Sequence, residues 1–119
     1  KDPNIKLTFV AGGIGITPYR GMIKYLTDTK QTRDIILIYI NNTADEIVYK
    51  EIFNNIKSIY INTSEVGYLN NKMINDKISD PHDRIWFISG PPNMVTSTEK
   101  LLKSMDIKHI KTDFFPGLV

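Results

Sequence analysis

The sequence predicts an α/β domain in which one parallel sheet lies between two layers of helices. Three observations carry this reading. Short runs rich in β-branched residues alternate with amphipathic helical stretches along the whole chain. Two of those runs, residues 35–40 and 85–88, are apolar without interruption, as strands covered on both faces must be. The 119 residues, 41% of them hydrophobic, suffice for one domain with its own core.

Strands are expected at residues 5–10, 35–40, 56–61 and 85–88, with a weaker one over 107–115. Between them, Tyr19, Met22, Ile23 and Leu26 recur at helical spacing. So do Val48, Ile52 and Phe53, then Leu69, Met73, Ile74 and Ile78, then Met94, Val95, Thr98, Leu101, Leu102 and Met105. Thr43-Ala44-Asp45-Glu46 has the form of a capping box, hydroxyl and carboxylate each satisfying a backbone donor, and marks the start of the second helix. The alternation implies a βαβαβαβαβ order with right-handed crossovers. Trp86 falls inside the fourth strand and reads as core.

Composition narrows the chemistry. The chain has no cysteine, which removes disulfides, thiolate metal sites, cysteine-held iron–sulfur clusters and a thiol nucleophile. That fits a reducing compartment, and a cytoplasmic location, or the cytoplasmic face of a membrane protein, is expected. Fifteen basic against 13 acidic residues give a net charge of +2, and the lysines are scattered, so no nucleic-acid partner is expected. The longest apolar run, residues 35–40, is far short of the roughly 18 residues of a membrane span. Membrane attachment is therefore expected only through upstream sequence, and Lys1-Asp2-Pro3-Asn4 reads as a linker at a domain boundary. His82 and His109 have no third ligand at metal spacing and read as surface residues, with no metal site expected.

Two loops concentrate glycine and proline at the carboxyl ends of strands. The first is Ala11-Gly12-Gly13-Ile14-Gly15-Ile16-Thr17-Pro18. Its glycines allow a pyrophosphate to approach the backbone, Thr17 is placed to cap the first helix and offer its hydroxyl, and Pro18 fits a first helical turn. The spacing is G-x-G-x-x-P in place of G-x-G-x-x-G, and a tight strand-to-helix turn that binds nothing is the alternative reading. The second loop, Ser89-Gly90-Pro91-Pro92-Asn93-Met94, reads either as a rigid wall for a ring or as a stiff helix entry. Together they would flank the crevice in which open α/β sheets bind ligands.

These two loops, with residues 39–51 and Gly67-Tyr68-Leu69, closely resemble the nicotinamide-nucleotide-binding lobe of the ferredoxin-NADP reductase family across essentially the whole chain. The resemblance implies a three-layer, Rossmann-like lobe over residues 1–119, a doubly wound sheet in strand order 3-2-1-4-5. It implies NADPH or NADH as cofactor, with FAD held by a β-barrel lobe that would lie upstream and is absent from this sequence. Hydride would pass from NAD(P)H to FAD, and electrons would leave singly to a ferredoxin, a flavodoxin or a haem protein. The isolated lobe would not turn over.

Residue by residue, the resemblance places Gly12, Gly13, Gly15, Thr17 and Pro18 around the pyrophosphate, with Thr17 also near the nicotinamide. Gly90, Pro91, Pro92 and Met94 wall the nicotinamide side. Ser89 stands where many family members carry a cysteine beside the reacting carbon, so Ser89 and Thr17 are the catalytic candidates. Asn41, Asn42 and Thr43 fall where the adenosine ribose is read, Asn42 in the place of an arginine found in many NADPH-using members. Neither an acid nor a base stands there, which leaves the preference undecided with a lean away from strict NADPH use. Lys50 is the nearby cation, read either as a phosphate contact or as a solvated helix lysine. Tyr68 either stacks on adenine or packs on the third helix, and Phe114 or Phe115 either approaches the flavin or belongs to an edge strand. The competing function is a non-catalytic nucleotide-binding or interaction module that keeps the fold, made conceivable by Ser89.

Overall fold

The computed structural model describes residues 5–31 and 33–113. Five parallel strands form one sheet: β1 (Leu7–Gly12), β2 (Ile35–Asn41), β3 (Lys57–Asn62), β4 (Ile85–Ser89) and β5 (Ile110–Asp113). Their order across the sheet is β3-β2-β1-β4-β5. The helices are α1 (Thr17–Asp28), α2 (Lys50–Phe53), α3 (Thr63–Val66), α4 (Asn71–Lys77) and α5 (Pro92–Ser104).

Alternation along each strand sorts the core into two layers. Phe9, Ala11, Leu37 and Tyr39 face a layer that includes Tyr19 and Ile23 of α1 and Phe53 of α2. Val10, Ile36, Ile38, Trp86 and Ile88 face the other layer, with Ile74 of α4 and Val95 and Leu102 of α5. Aromatic pairs stiffen the first layer, where the Phe9 and Tyr19 rings stack at 4.5 Å between centroids. In the second, Trp86 is fully buried and donates its Nε1–H to the Pro81 carbonyl at 2.8 Å, so its polar atom is satisfied.

Several elements depart from the sequence expectation, among them α3, a short helix between β3 and α4 that the apolar periodicity does not announce. β1 begins at Leu7 and runs on to Gly12, because Ala11 and Gly12 still pair with Tyr39 and Ile40 while Ile5 is exposed. The Thr43–Glu46 capping box is present, yet it closes a single 3-10 turn (Ala44–Glu46) and not the α-helix. Tyr49 then takes a left-handed conformation at φ 62°, which breaks the periodic stretch and leaves α2 with four residues. Leu69 precedes the third predicted helix, whose start is fixed at Asn70 by its side-chain oxygen accepting from the Met73 N–H at 2.9 Å.

The amino edge of the sheet is closed by a buried guanidinium. Arg84 donates to Thr8 Oγ1 at 2.8 Å, to the Leu7 carbonyl at 2.8 Å and to Asp34 Oδ1 at 2.6 Å, and it also reaches Asp80 at 3.3 Å. It therefore joins β1, the entry to β2 and the entry to β4. Its location opposite the glycine loop makes it a structural group.

Candidate functional site

The strand order reverses direction between β1 and β4, and open α/β sheets hold ligands at such a switch point, beyond the strands' carboxyl ends. The structure has a cleft of about 720 Å³ there. Gly12 and Gly13 contribute from the end of β1, Asn41 and Asn42 from the end of β2, Pro91 from the β4–α5 connection and Met94 from the first turn of α5. Tyr68 and Leu69 close one side.

Close packing of backbone creates this geometry. A Cβ on Gly12 would come within 2.8 Å of the Met94 methyl, and one on Gly15 within 2.3 Å of the Ser89 carbonyl oxygen. The two loops are thus locked against each other, with Gly15 and Gly90 buried between them. Gly13 is different: it is exposed, takes φ 55°, and a Cβ there would meet nothing. Its requirement for glycine is conformational, at the cleft rim.

Thr17 does not cap α1. It is the helix's first residue, a 3-10 turn (Gly13–Ile16) precedes it, and the N-cap Ile16 offers no side-chain oxygen. The Thr17 N–H is instead taken by the Ile14 carbonyl within the 3-10 turn, and no acidic residue stands in the first turn of α1. Pro18 falls in that first turn, where its missing N–H costs nothing.

At the β2 end, Asn41 is buried, and its Nδ2 has no hydrogen-bond partner although the residue lines the cleft. A buried donor left unpaired costs about 1–3 kcal/mol, so it is a point at which a ligand acceptor would be welcome. The Asn42 side-chain oxygen instead accepts from the Thr63 hydroxyl at 3.2 Å, tying the ends of β2 and β3 together. Glu46 Oε1 accepts from the Asn42 N–H at 2.8 Å and the Thr43 N–H at 3.4 Å.

Of the residues singled out from sequence, Gly12, Gly13, Asn41, Asn42, Pro91 and Met94 line the cleft, while Gly15, Thr17, Pro18, Thr43, Gly90 and Pro92 do not. Ser89 is buried beside it, with its Oγ unpaired. Lys50 is turned away, its ammonium 5.4 Å from the Tyr60 ring centroid. Tyr68 is 83% exposed at the cleft, not packed into the helix layer. Phe114 and Phe115 lie outside the described residues. Sequence reasoning assigned Glu46 to the capping box and not to the site, yet it is the one Asp, Glu, Lys or Arg among the described residues lining the cleft. In sequence the capping box signals a helix start alone, but its carboxylate also faces the site.

Residues 9–100 match the family described as the oxidoreductase NAD-binding domain. The chain belongs to that family. Among its relatives is one of the subunits of the Na(+)-translocating NADH-quinone reductase of Serratia proteamaculans strain 568, 26% identical over 98% of this chain and 34% of that protein. Nitrate reductase [NADH] of Solanum lycopersicum is 28% identical over 76% of this chain and 12% of its own length. The fold of this NAD-binding domain is shared by the Malassezia yamatoensis flavohemoglobin solved with bound FAD and heme, with a TM-score of 0.80 at 21% identity, over 97% of this chain and 33% of that one. A ferredoxin NADP+ reductase from Neisseria gonorrhoeae with bound FAD and NADP gives a TM-score of 0.68 at 17% identity, over 93% of this chain and 56% of that one. The domain thus spans only part of each of these proteins.

Proposed function

We propose that this domain binds NADH across the switch-point cleft and presents its nicotinamide to FAD held on a separate β-barrel lobe. Electrons would leave the flavin singly for an iron–sulfur, flavodoxin or haem acceptor, and the domain alone would not turn over. The observation that carries the reading is the meeting of two glycine loops with the end of β2 around one cleft at the point where strand order reverses. When bound, the nicotinamide supplies the hydride and the flavin splits the electron pair, so the protein's part is position and electrostatics.

The residues present fit the cofactor. Gly12, Gly15 and Gly90 keep the backbone bare where the loops meet, Gly13 opens the rim to the pyrophosphate, and no acidic residue in the first turn of α1 opposes that anion. Asn41 Nδ2 supplies an unpaired donor at the adenosine end, and the exposed Tyr68 ring a stacking surface. Pro91 and Met94 form an apolar wall, and the Ser89 Oγ is buried without a hydrogen-bond partner.

The choice of NADH over NADPH rests on Glu46. A 2'-phosphate at the β2 end would face this carboxylate with no lining lysine or arginine among the described residues to offset it, whereas a 2'-hydroxyl can donate to it. The test has two parts. Amide shifts at 12–13, 41–42, 68–69 and 93–94 on adding NADH, with weaker shifts for NADPH, support the site, and bleaching of the flavin by NADH in the full-length protein supports the redox step. An NADPH response equal to the NADH response would reject the preference, and a full-length protein whose flavin stays oxidised with NADH would reject the redox role. A cytoplasmic setting belongs to the same proposal; among the described residues no helix is long and apolar enough to cross a membrane.

A further inference from the structure

The outward side of α1 carries a surface that the nucleotide cleft does not use. Tyr19 and Ile23 set the buried side of this helix. With 3.6 residues per turn, Pro18, Gly21, Met22 and Tyr25 fall on one arc of the solvent side. Lys24 and Asp28, paired at 2.8 Å, occupy the other. Met22 is 46% exposed and Tyr25 61% exposed, and Ile14, in the turn leading into the helix beside Gly13, is 66% exposed. An uncharged strip thus begins at the rim of the cleft and runs down α1.

Gly21 adds an independent sign of a partner. Glycine in a helix interior is destabilising relative to alanine. A Cβ at position 21 would meet nothing within 4 Å, so this chain's own packing does not require the residue to be bare. A bare position flanked by exposed Met22 and Tyr25 is what a second surface approaching closely would need. Clustered exposed apolar groups of this kind mark interaction sites.

We propose that this strip, from Ile14 to Tyr25, is the docking surface for the lobe that carries the flavin. The inference rests on the redox reading above. Hydride transfer needs the reacting atoms within about 3.5 Å, so a flavin-bearing lobe must close on the carboxyl edge beside the glycine loop. The strip is continuous with that edge at Gly13 and Ile14. The relatives have room for such a lobe, since this chain spans 34% of the quinone reductase relative and 33% of the flavohemoglobin. The absence of charge on the arc matches an apolar interface core with a methionine and a tyrosine as its anchors.

The test uses the full-length protein with Tyr25 replaced by the photo-crosslinker p-benzoylphenylalanine. Irradiation is expected to join position 25 to a peptide of the flavin-binding lobe within the same molecule. Crosslinks to a second copy, or none, would overturn the proposal. Gly21→Lys combined with Tyr25→Lys is expected to slow flavin reduction at saturating NADH at least tenfold, with the KM for NADH changed less than twofold. An unchanged reduction rate would overturn the docking surface. A crosslink formed in a wild-type protein background whose flavin NADH cannot reduce would support docking and strike the redox reading, so the two failures are separable.

Discussion

Gly15 lies so near Ser89 that a Cβ built on it would stand 2.3 Å from the Ser89 carbonyl oxygen and 2.7 Å from the Gly90 Cα. Backbone, not a flexible side-chain tip, occupies that space, so the two loops that form the site also hold each other in place.

Gly15→Ala is therefore expected to force the β1 and β4 loops apart. Overpacking against a fixed backbone costs about 1–3 kcal/mol and should lower the denaturation midpoint while weakening NADH binding. Gly13→Ala, at a position with open space but φ 55°, should cost about 1–2 kcal/mol through conformation alone. Gly13→Asn, which tolerates that region better, should recover part of it. Equal denaturation midpoints for Gly15→Ala and the wild type would show that the loops are not locked in this way.

The buried Arg84 predicts a large effect far from the site. Arg84→Met would leave Thr8, the Leu7 carbonyl and both aspartates without their shared donor, a loss of about 2–4 kcal/mol read from chemical denaturation. Arg84→Lys should rescue little, because a single ammonium cannot reproduce the guanidinium's fork across three chain segments. Nucleotide affinity, measured well below the unfolding transition, should not change.

Acid should expose the same cluster. The hydrogen bond from Lys6 holds the Asp80 carboxyl below the ordinary carboxylate range, against the opposing effect of partial burial, with Arg84 adding to the depression. A depressed folded-state value means that this stabilisation is present above the unfolded value of 3.8 and is lost as pH falls through the lower folded value. Stability should thus decline below about pH 4, and Asp80→Asn should flatten that limb of the curve. Lys6 is shifted the opposite way by the hydrogen bond to Asp80, so its contribution holds below 10.5 and fades only at higher pH.

Glu46 offers a test of cofactor choice. Glu46→Gln keeps an oxygen to accept from the Asn42 and Thr43 amides but removes the charge. NADPH affinity should rise about tenfold, equivalent to about 1.4 kcal/mol, with NADH affinity unchanged or slightly reduced. Calorimetric titration of both nucleotides reads this directly; an identical NADH-to-NADPH ratio in the variant and the parent would remove Glu46 from the site.

The fold was legible in the sequence wherever one signal sufficed. The uninterrupted apolar runs of β2 and β4 announced strands covered on both faces, and Phe9, Val10, Leu37 and Ile38 all sit in the two core layers. What escaped depends on the third dimension. Arg84 meets partners 50, 76 and 77 positions away, so no local pattern reveals it. Tyr49 breaks its helix through a left-handed backbone that its residue type does not advertise. Glu46 sits in a readable capping box, but that pattern does not reveal that the residue also lines the cleft. Gly15 was legible as a needed glycine, while the contact with Ser89 that requires it was not.

Substitutions at Ser89 test the proposed redox domain against a nucleotide-binding module that has kept only the fold. Its Oγ is buried without a partner, and an unsatisfied buried hydroxyl costs about 1–3 kcal/mol. Ser89→Ala should therefore stabilise the protein by up to about 1 kcal/mol, whatever the function. If the hydroxyl serves the bound nicotinamide, the same variant should reduce flavin about tenfold more slowly while NADH affinity changes little, the pattern of an interaction used mainly in the transition state. Ser89→Cys should restore most of that rate, since a thiol can make the same polar contact as the hydroxyl it replaces. Rapid-mixing measurement of flavin reduction in the full-length protein decides the matter. A gain in stability with no change in rate for either variant would make Ser89 a strain tolerated by the fold and return the catalytic positioning to the loops around it.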